Sequence, residues 1–159
     1  MFREMRLKKQ QLSEAETAEM LRCCTSGVLA LAGDDDYPYA VPLSFAFADG
    51  KLYFHFAKSG HKLDAMKRNA KASFCVIAAD TVVPATFTTH YRSAIAFGRI
   101  RLHADDGEKK RALEFLAKKY SPAHLDRVQA EIEREWKNVC TAELTIEHMT
   151  GKAASELIE

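Results

Sequence analysis

Nine residues in the middle of the chain, Phe54-His55-Phe56-Ala57-Lys58-Ser59-Gly60-His61-Lys62, combine types that suit an anion site. The first four read as the end of a strand, and Ser59 with Gly60 as a turn into a helix. The first backbone N–H groups of a helix have no internal partner and point outward. Gly60 lets a ligand approach those amides closely, Ser59 adds a hydroxyl, and His61 and Lys62 add cationic side chains. Such a turn would cradle a phosphate. The same residues also describe an ordinary strand-to-helix turn with solvated cations. Just upstream, Tyr39-Ala40-Val41-Pro42-Leu43-Ser44-Phe45-Ala46-Phe47 reads as one strand with a proline in its middle. Pro42 has no N–H for a ladder, so pairing must break there or the strand must lie at a sheet edge. Either way, backbone groups of Val41, Leu43 and Ser44 are left for a planar heterocycle with polar edges, unless this is simply an edge blunted by proline.

Other constellations are weaker. His55 alternates with Phe54 and Phe56, so it shares a face with Tyr53 and Ala57. His90 precedes Tyr91-Arg92-Ser93 near a strand start, and His103, His124 and His148 fall at expected element ends, where solvated histidine is common. No metal site is expected among the six histidines. Cys23, Cys24, Cys75 and Cys140 form no C-x-x-C pair, so structural zinc is not expected either, and reduced packing thiols in a cytoplasm are the default. G-x-S-x-G, P-loop and G-x-G-x-x-G motifs are absent, which removes the main support for serine-hydrolase, nucleotide-hydrolysing and dinucleotide-fold readings. Lys109, Lys110, Arg111, Lys118 and Lys119 read as a solvated helix face. With 23 Lys and Arg against 22 Asp and Glu, the formal charge is +1, which gives no support to nucleic-acid binding. No apolar run approaches the ~20 residues of a membrane helix, and none follows the charged opening MFREMRLKKQ, so a cytoplasmic protein with no membrane partner is expected.

The elements that must position these residues follow from periodicity. At 159 residues and 47% hydrophobic composition, one domain with a real core is expected over 1–159. Ser13 and Glu16 form a capping box ahead of a first helix. Strands are predicted over 28–32, 39–47, 51–57, 72–79, 91–103 and 140–148. Asp49-Gly50 closes a hairpin, and Gly98 marks a bulge or bend. Residues 80–89 read as loop or irregular strand. A short helix follows Gly60 to about Asn69, and a helical pair fills about 106–137, its second member capped by Ser121 with Pro122 in the first turn. Leu125, Val128, Ile132 and Trp136 mark that second helix's apolar stripe. Hairpin-linked strands without regular helical crossovers favour a mainly β fold, a small antiparallel six-stranded barrel with peripheral helices, over a doubly wound parallel sheet.

Four segments in order carry a family resemblance. They are Tyr39-x-Val41-Pro42-Leu43-Ser44-Phe45, Asp49-Gly50-x-Leu52-Tyr53-Phe54-His55-x-Ala57-x-x-Gly60-x-Lys62, Tyr91-Arg92-Ser93-x-Ile95-x-Phe97-Gly98-Arg99 and Met149-Thr150-Gly151-Lys152. Together they resemble the pyridoxamine 5'-phosphate oxidase-like FMN-binding split barrels, and within them the nitroimidazole-resistance branch, over roughly residues 12–152. The resemblance implies an FMN-binding homodimer with two flavins at the subunit interface. Val41, Pro42, Leu43 and Ser44 would line the isoalloxazine edge, and His55, Phe56 and Ala57 would run beside it. Ser59, Gly60, His61 and Lys62 would hold the phosphate, and Arg92 and Ser93 would lie near the flavin, from the neighbouring subunit if not from the same one. His55 would be the group able to pass a proton or hydrogen bond to a flavin heteroatom or acceptor. True pyridoxamine-phosphate oxidases carry an arginine-rich substrate set and a C-terminal Arg-x-Pro ending. This sequence ends in Ala153-Ala154-Ser155-Glu156-Leu157-Ile158-Glu159 instead, so vitamin B6 oxidation is not expected. The expected activity is flavin-dependent reduction of a small acceptor such as a nitro-aromatic. The alternative is a flavin- or heme-binding barrel without turnover.

Overall fold

The computed structural model describes residues 1–158. Its strands are β1 (Gln11–Leu12), β2 (Gly27–Ala32), β3 (Pro38–Leu43), β4 (Ala46–Ala48), β5 (Lys51–Ala57), β6 (Lys71–Val83), β7 (Thr88–Leu102) and β8 (Val139–Ala153). Its helices are α1 (Glu14–Cys23), α2 (His61–Arg68), α3 (Asp106–Tyr120) and α4 (Val128–Glu135). The strands form one sheet in the order β3-β2-β6-β7-β8-β5-β4, with β1 added to β8. The pairings between strands are antiparallel.

The two strands at opposite ends of this order, β3 and β4, are consecutive in the chain. Only Ser44 and Phe45 separate them, and three residue steps span at most about 11 Å. The sheet must therefore curl until its ends nearly meet, which makes a barrel left open along one seam. This split barrel encloses a core of Leu29, Phe45, Leu52, Phe54, Phe74, Val76, Ile100 and Leu144, with Leu21 of α1 packed into it. Phe45 and Phe54 both meet the Phe74 ring in edge-on geometry, at 4.6 and 5.3 Å between centroids.

Eight strands appear where the sequence pattern predicts six, for two local reasons. Residues 11 and 12 add to β8 opposite Lys152 and Gly151. The 39–47 segment divides into β3 and β4 at the crossover. Residues 80–89 are mostly strand: β6 reaches Val83, a 3-10 turn follows at Pro84–Thr86, and β7 starts at Thr88. Other expectations match closely. Ser13 N–H donates to the Glu16 carboxylate at 2.9 Å, and Glu16 N–H donates back to Ser13 Oγ at 3.2 Å. The β6 register with β7 is regular through Gly98, but the β7 register with β8 shifts between Phe97 and Gly98, and a Cβ at Gly98 would lie 2.0 Å from the Thr145 carbonyl oxygen. Only glycine fits that bulge.

The helical insertion departs further from expectation. Ser121 does not cap a helix with its side chain, and Pro122–Arg127 is a 3-10 turn leading into α4. Of the expected stripe only Ile132 is buried, and Leu125 is exposed. Nor is the basic face of α3 simply solvated. Arg111 reaches Asp49 at 2.6 Å, Lys109 Nζ donates to the Trp136 carbonyl at 2.6 Å, and Lys119 Nζ sits 3.8 Å from the Phe45 ring centroid. Ala112 and Leu116 of α3 pack on Ala46 and Tyr53, so α3 covers the outer face of β4 and β5.

Beneath α3 lies a buried carboxylate. Glu143 of β8 is 5% exposed. It accepts from Lys51 Nζ at 2.7 Å and Arg101 Nε at 3.2 Å, with His103 Nε2 at 3.4 Å. His103, read from sequence as a solvated end residue, has a side chain only 1% exposed, and its Nδ1 lies 2.8 Å from Thr141 Oγ1. Burial alone would raise the Glu143 pKa. Hydrogen bonds from Lys51 and His103 and the charges of Arg101 and Lys51 outweigh it and hold the carboxyl below its ordinary value.

The outer face of the central strands is unusually apolar. One row across it runs Pro42, Val28, Cys75, Ile95 and Thr150, and the next runs Ala40, Ala30, Ser73, Phe97 and His148. Val28, Ile95 and Phe97 are exposed there, as are Ile77 and Val82 farther along β6, and Phe87 in the β6–β7 turn. Among the described residues, no helix is long and apolar enough to cross a membrane.

The depressed pKa of Glu143 means that its ion pairs stabilise the fold above the ordinary carboxylate pKa of 4.5 and lose that effect as pH falls through the folded value. Glu143→Gln should therefore cost about 2–4 kcal/mol near neutral pH, because Lys51, Arg101 and His103 lose the negative charge they share and one acceptor oxygen becomes an amide donor. It should also flatten the acid side of the stability curve. Urea denaturation of both proteins between pH 3 and 7 measures both effects.

Candidate functional site

The seam of the barrel is where unpaired backbone edges gather. β3 is the last strand of the sheet and pairs only with β2, so its other edge has no strand partner. On the facing side β4 pairs with Lys51, Leu52 and Tyr53 of β5 and no farther. Residues 54–57 of β5 are therefore paired on one side only, to β8. Val41, Pro42 and Leu43 thus line one bank of the seam, Phe56 and Ala57 the other, and exposed Ser44 sits where the chain crosses between them. Pro42 lies at an edge, as its missing N–H demands.

The turn after β5 closes one end of the seam. Gly60 has φ +124° and ψ 167°, a conformation that is essentially glycine-only. Leu63 and Asp64 N–H both donate to the Gly60 carbonyl, at 3.0 and 3.3 Å. The amides of His61 and Lys62 precede those bonds, and no side chain caps the helix. The His61 ring stacks on Tyr39 of β3, 4.0 Å between centroids with planes 21° apart, and lies 3.5 Å from Asp34. Lys62 Nζ lies 5.8 Å from the centroid of Phe56 on β5. These two side chains fix the helix start between β3 and β5.

Positive charge concentrates here. Cys140, opposite Phe56 on β8, donates from Sγ to the Ala57 carbonyl at 3.4 Å, and the charges of Lys109, Lys58 and Lys62 are close enough to act on it. Its thiol pKa is raised, because burial outweighs those charges. Lys109 has a lowered pKa, first from burial and then from repulsion by Lys58. Uncapped helix amides donate to a tetrahedral anion such as phosphate. The residues present therefore fit a phosphate, and the open strand edges beside it fit a planar group with polar edges.

His55 lies on the outer face of β5 opposite Thr141 and makes no hydrogen bond among the described residues. Its edge meets solvent, yet burial of the rest of the ring disfavours the imidazolium and lowers its pKa.

Arg92 and Ser93 are not brought to this cluster within one chain. They lie on β7 opposite Ala79 and Ile77. Arg92 donates to Glu16 of α1 at 3.2 Å, while its Nε is buried without a partner. It lines a separate hollow with Cys24, Thr25, Ser26, Ile77 and Ala78.

The sequence matches the family model described as pyridoxamine 5'-phosphate oxidase over residues 13–153. The chain belongs to the pyridoxamine 5'-phosphate oxidase family. A family relative in Rhizobium meliloti (strain 1021), an uncharacterized protein, is 31% identical over 129 residues, covering 76% of this chain and 79% of its own. Among solved structures, the fold is similar to a putative 5-nitroimidazole antibiotic resistance protein from Bacteroides thetaiotaomicron, with TM-score 0.74, 20% identity, and coverage of 90% of this chain and 86% of that one. It is also similar to the FAD and heme binding protein from Mycobacterium smegmatis, with TM-score 0.75, 25% identity, and coverage of 92% and 74%. Family membership accounts for the split barrel and for the order of the four sequence segments along it.

Helical spacing sets Tyr120 on the inward side of α3 with Leu113, Leu116 and Ala117, but it does not show that the Tyr120 hydroxyl meets the crossover at Phe45. Lys119 reads as part of a solvated basic face, and its grip on the Phe45 ring was missed.

Proposed function

We infer that this protein is an FMN-binding flavoprotein that works as a homodimer and passes electrons from a reduced nicotinamide or another small donor to a small acceptor such as a nitro-aromatic. The observation that carries this reading is the uncapped turn at Gly60, His61 and Lys62, held where the two open strand edges meet. The turn suits the phosphate. The edges at Val41, Pro42, Leu43 and Ser44 and at Phe56 and Ala57 suit the polar rim of the isoalloxazine. A single cradle of this kind favours FMN over riboflavin. The redox chemistry belongs to the flavin when bound. The chain's own part is to hold the phosphate, orient the ring and offer the imidazole of His55 beside it.

The apolar outer face supports the dimer. Contiguous exposed apolar surface on a sheet is a common mark of an interface. A second copy laid against Val28, Ile77, Ile95 and Phe97 would cover it. It would also bring Arg92 and Ser93, stranded within one subunit, toward the neighbouring seam. The similarity to the Mycobacterium smegmatis FAD and heme binding protein supports a second reading, a flavin- or heme-binding barrel without turnover.

Replacing Lys62 by Ala should weaken FMN about ten- to a hundredfold, the worth of a charge-assisted hydrogen bond, and barely change riboflavin. Fluorescence titration with both ligands decides this, and equal losses would remove Lys62 from the phosphate site. Light scattering should give twice the 17.8 kDa chain mass, and Ile95→Glu should shift it toward the monomer. A wild-type monomer with flavin fully bound would overturn the dimer. His55→Ala should keep FMN bound but slow acceptor reduction by ~10²–10⁴-fold. Because burial lowers the His55 pKa, the imidazolium is scarce at neutral pH, so the wild-type rate should rise as pH falls through that lowered value and the mutant's should not. Anaerobic single-turnover reoxidation with nitro-aromatics and quinones measures both. Wild-type rates no faster than free reduced FMN would leave the binding-protein reading in place.

A further inference from the structure

The crossover between the banks of the seam has a problem that the sheet cannot solve. Phe45 is fully buried, yet it lies between β3 and β4 and outside both ladders. Its N–H and C=O still need partners. Both find one on a single atom, the hydroxyl of Tyr120, the last residue of α3. Phe45 N–H donates to that oxygen at 2.9 Å, and the Phe45 carbonyl lies 3.0 Å from it. The hydroxyl's one proton is shared between that carbonyl and the carbonyl of Thr25, in the turn leading to β2. The ring of Phe45 is held as well. Lys119 Nζ stands 3.8 Å from its centroid, and the Phe74 ring meets it edge-on. Lys119 in turn donates to the Leu21 carbonyl at 3.4 Å. The end of α3 therefore grips the backbone and the side chain of the one buried residue that joins the two banks.

Ser44 precedes Phe45, and Leu43 is the last paired residue of β3, opposite Gly27. We propose that Tyr120 is a positioning residue for the flavin site. By fixing Phe45 and Thr25 through one hydroxyl, it sets where Ser44, which lies outside both ladders, presents its backbone groups to the isoalloxazine edge. This gives the helical insertion a role: α3 is the brace that holds the seam at one width. The inference rests on the flavin reading of the seam.

The test compares Tyr120→Phe, which keeps the ring and removes only the hydroxyl, with wild type and with Ile132→Ala. Ile132 is buried on α4 and belongs to neither of the hydrophobic clusters that pack on the crossover and on β4 and β5. Tyr120→Phe should weaken FMN about five- to fiftyfold, as expected when buried backbone groups lose their partner, and shift the visible absorption bands of the flavin that remains bound. Ile132→Ala should lower Tm while leaving the FMN affinity and the bands unchanged. A purely structural role for Tyr120 would give the Ile132→Ala pattern in both variants and overturn the proposal. The unmodified protein supplies an independent check without any variant. The Phe45 amide should exchange with deuterium as slowly as the β5 core amides, and exchange at open-loop rates would overturn the proposal. A wild type that takes up neither FMN nor FAD would overturn the flavin reading itself, and that result is seen before any variant is made.

Discussion

The two-residue passage from β3 to β4 is the constraint on which the rest of this molecule depends. A seven-strand path whose first and last members are joined so briefly cannot lie flat. It must curl, and the right-handed twist of strands makes a barrel the natural result. Because β4 is only three residues long, closure stops short and the upper half of β5 keeps a free edge. Hydrophobic burial then fixes the curl from within, through Phe45, Phe54 and Phe74 at the centre. The open seam is thus a geometric remainder of a sheet that is too short on one side to close.

Around that remainder the chain spends polar interactions sparingly. The carboxylate of Glu143 gathers Lys51, Arg101 and His103 under α3, tying β5, β7 and β8 together on the side away from the seam. Arg101 also bonds Glu108, in the first turn of α3, and Arg111 bonds Asp49 in the β4–β5 turn. The insertion is consequently anchored at its start by charge, along its middle by Ala112 and Leu116, and at its end by the Tyr120 hydroxyl. The exposed pairs among these add little individually. The buried ones set the position of the helix.

Much of the fold was legible because local rules govern it. Asp49 and Gly50 take φ values of 52° and 71°, as a tight hairpin between twisted strands requires. Pro42 announced an edge, Gly98 a bulge, and Ser13 with Glu16 a helix start, each from the chemistry of one or two neighbouring residues. The turn at 59–62 was legible as a strand-to-helix turn opened by glycine for the same reason. What no local rule carries is pairing at long separation. Tyr120 meets Phe45 across 75 positions and His103 meets Glu143 across 40, so neither side chain's partner is visible from its own surroundings. Arg92 and Ser93 came from family position alone, and the fold sets them apart from the other candidates. The insertion's second helix was misread because Pro122 does sit in a first turn, but of a 3-10 segment whose His124 breaks helical geometry.

An edge without a strand partner is open to other polypeptides. Any unpaired strand margin offers the template on which foreign chains add and fibrils grow. In β3 that risk is met by Pro42, which interrupts the row of donors, and in β5 by the brevity of the free stretch and the lysines that follow it. The proline that looks like a flaw in a strand therefore blunts the edge it lies on. The barrel keeps an unpaired margin there without offering a full row of donors to a second strand.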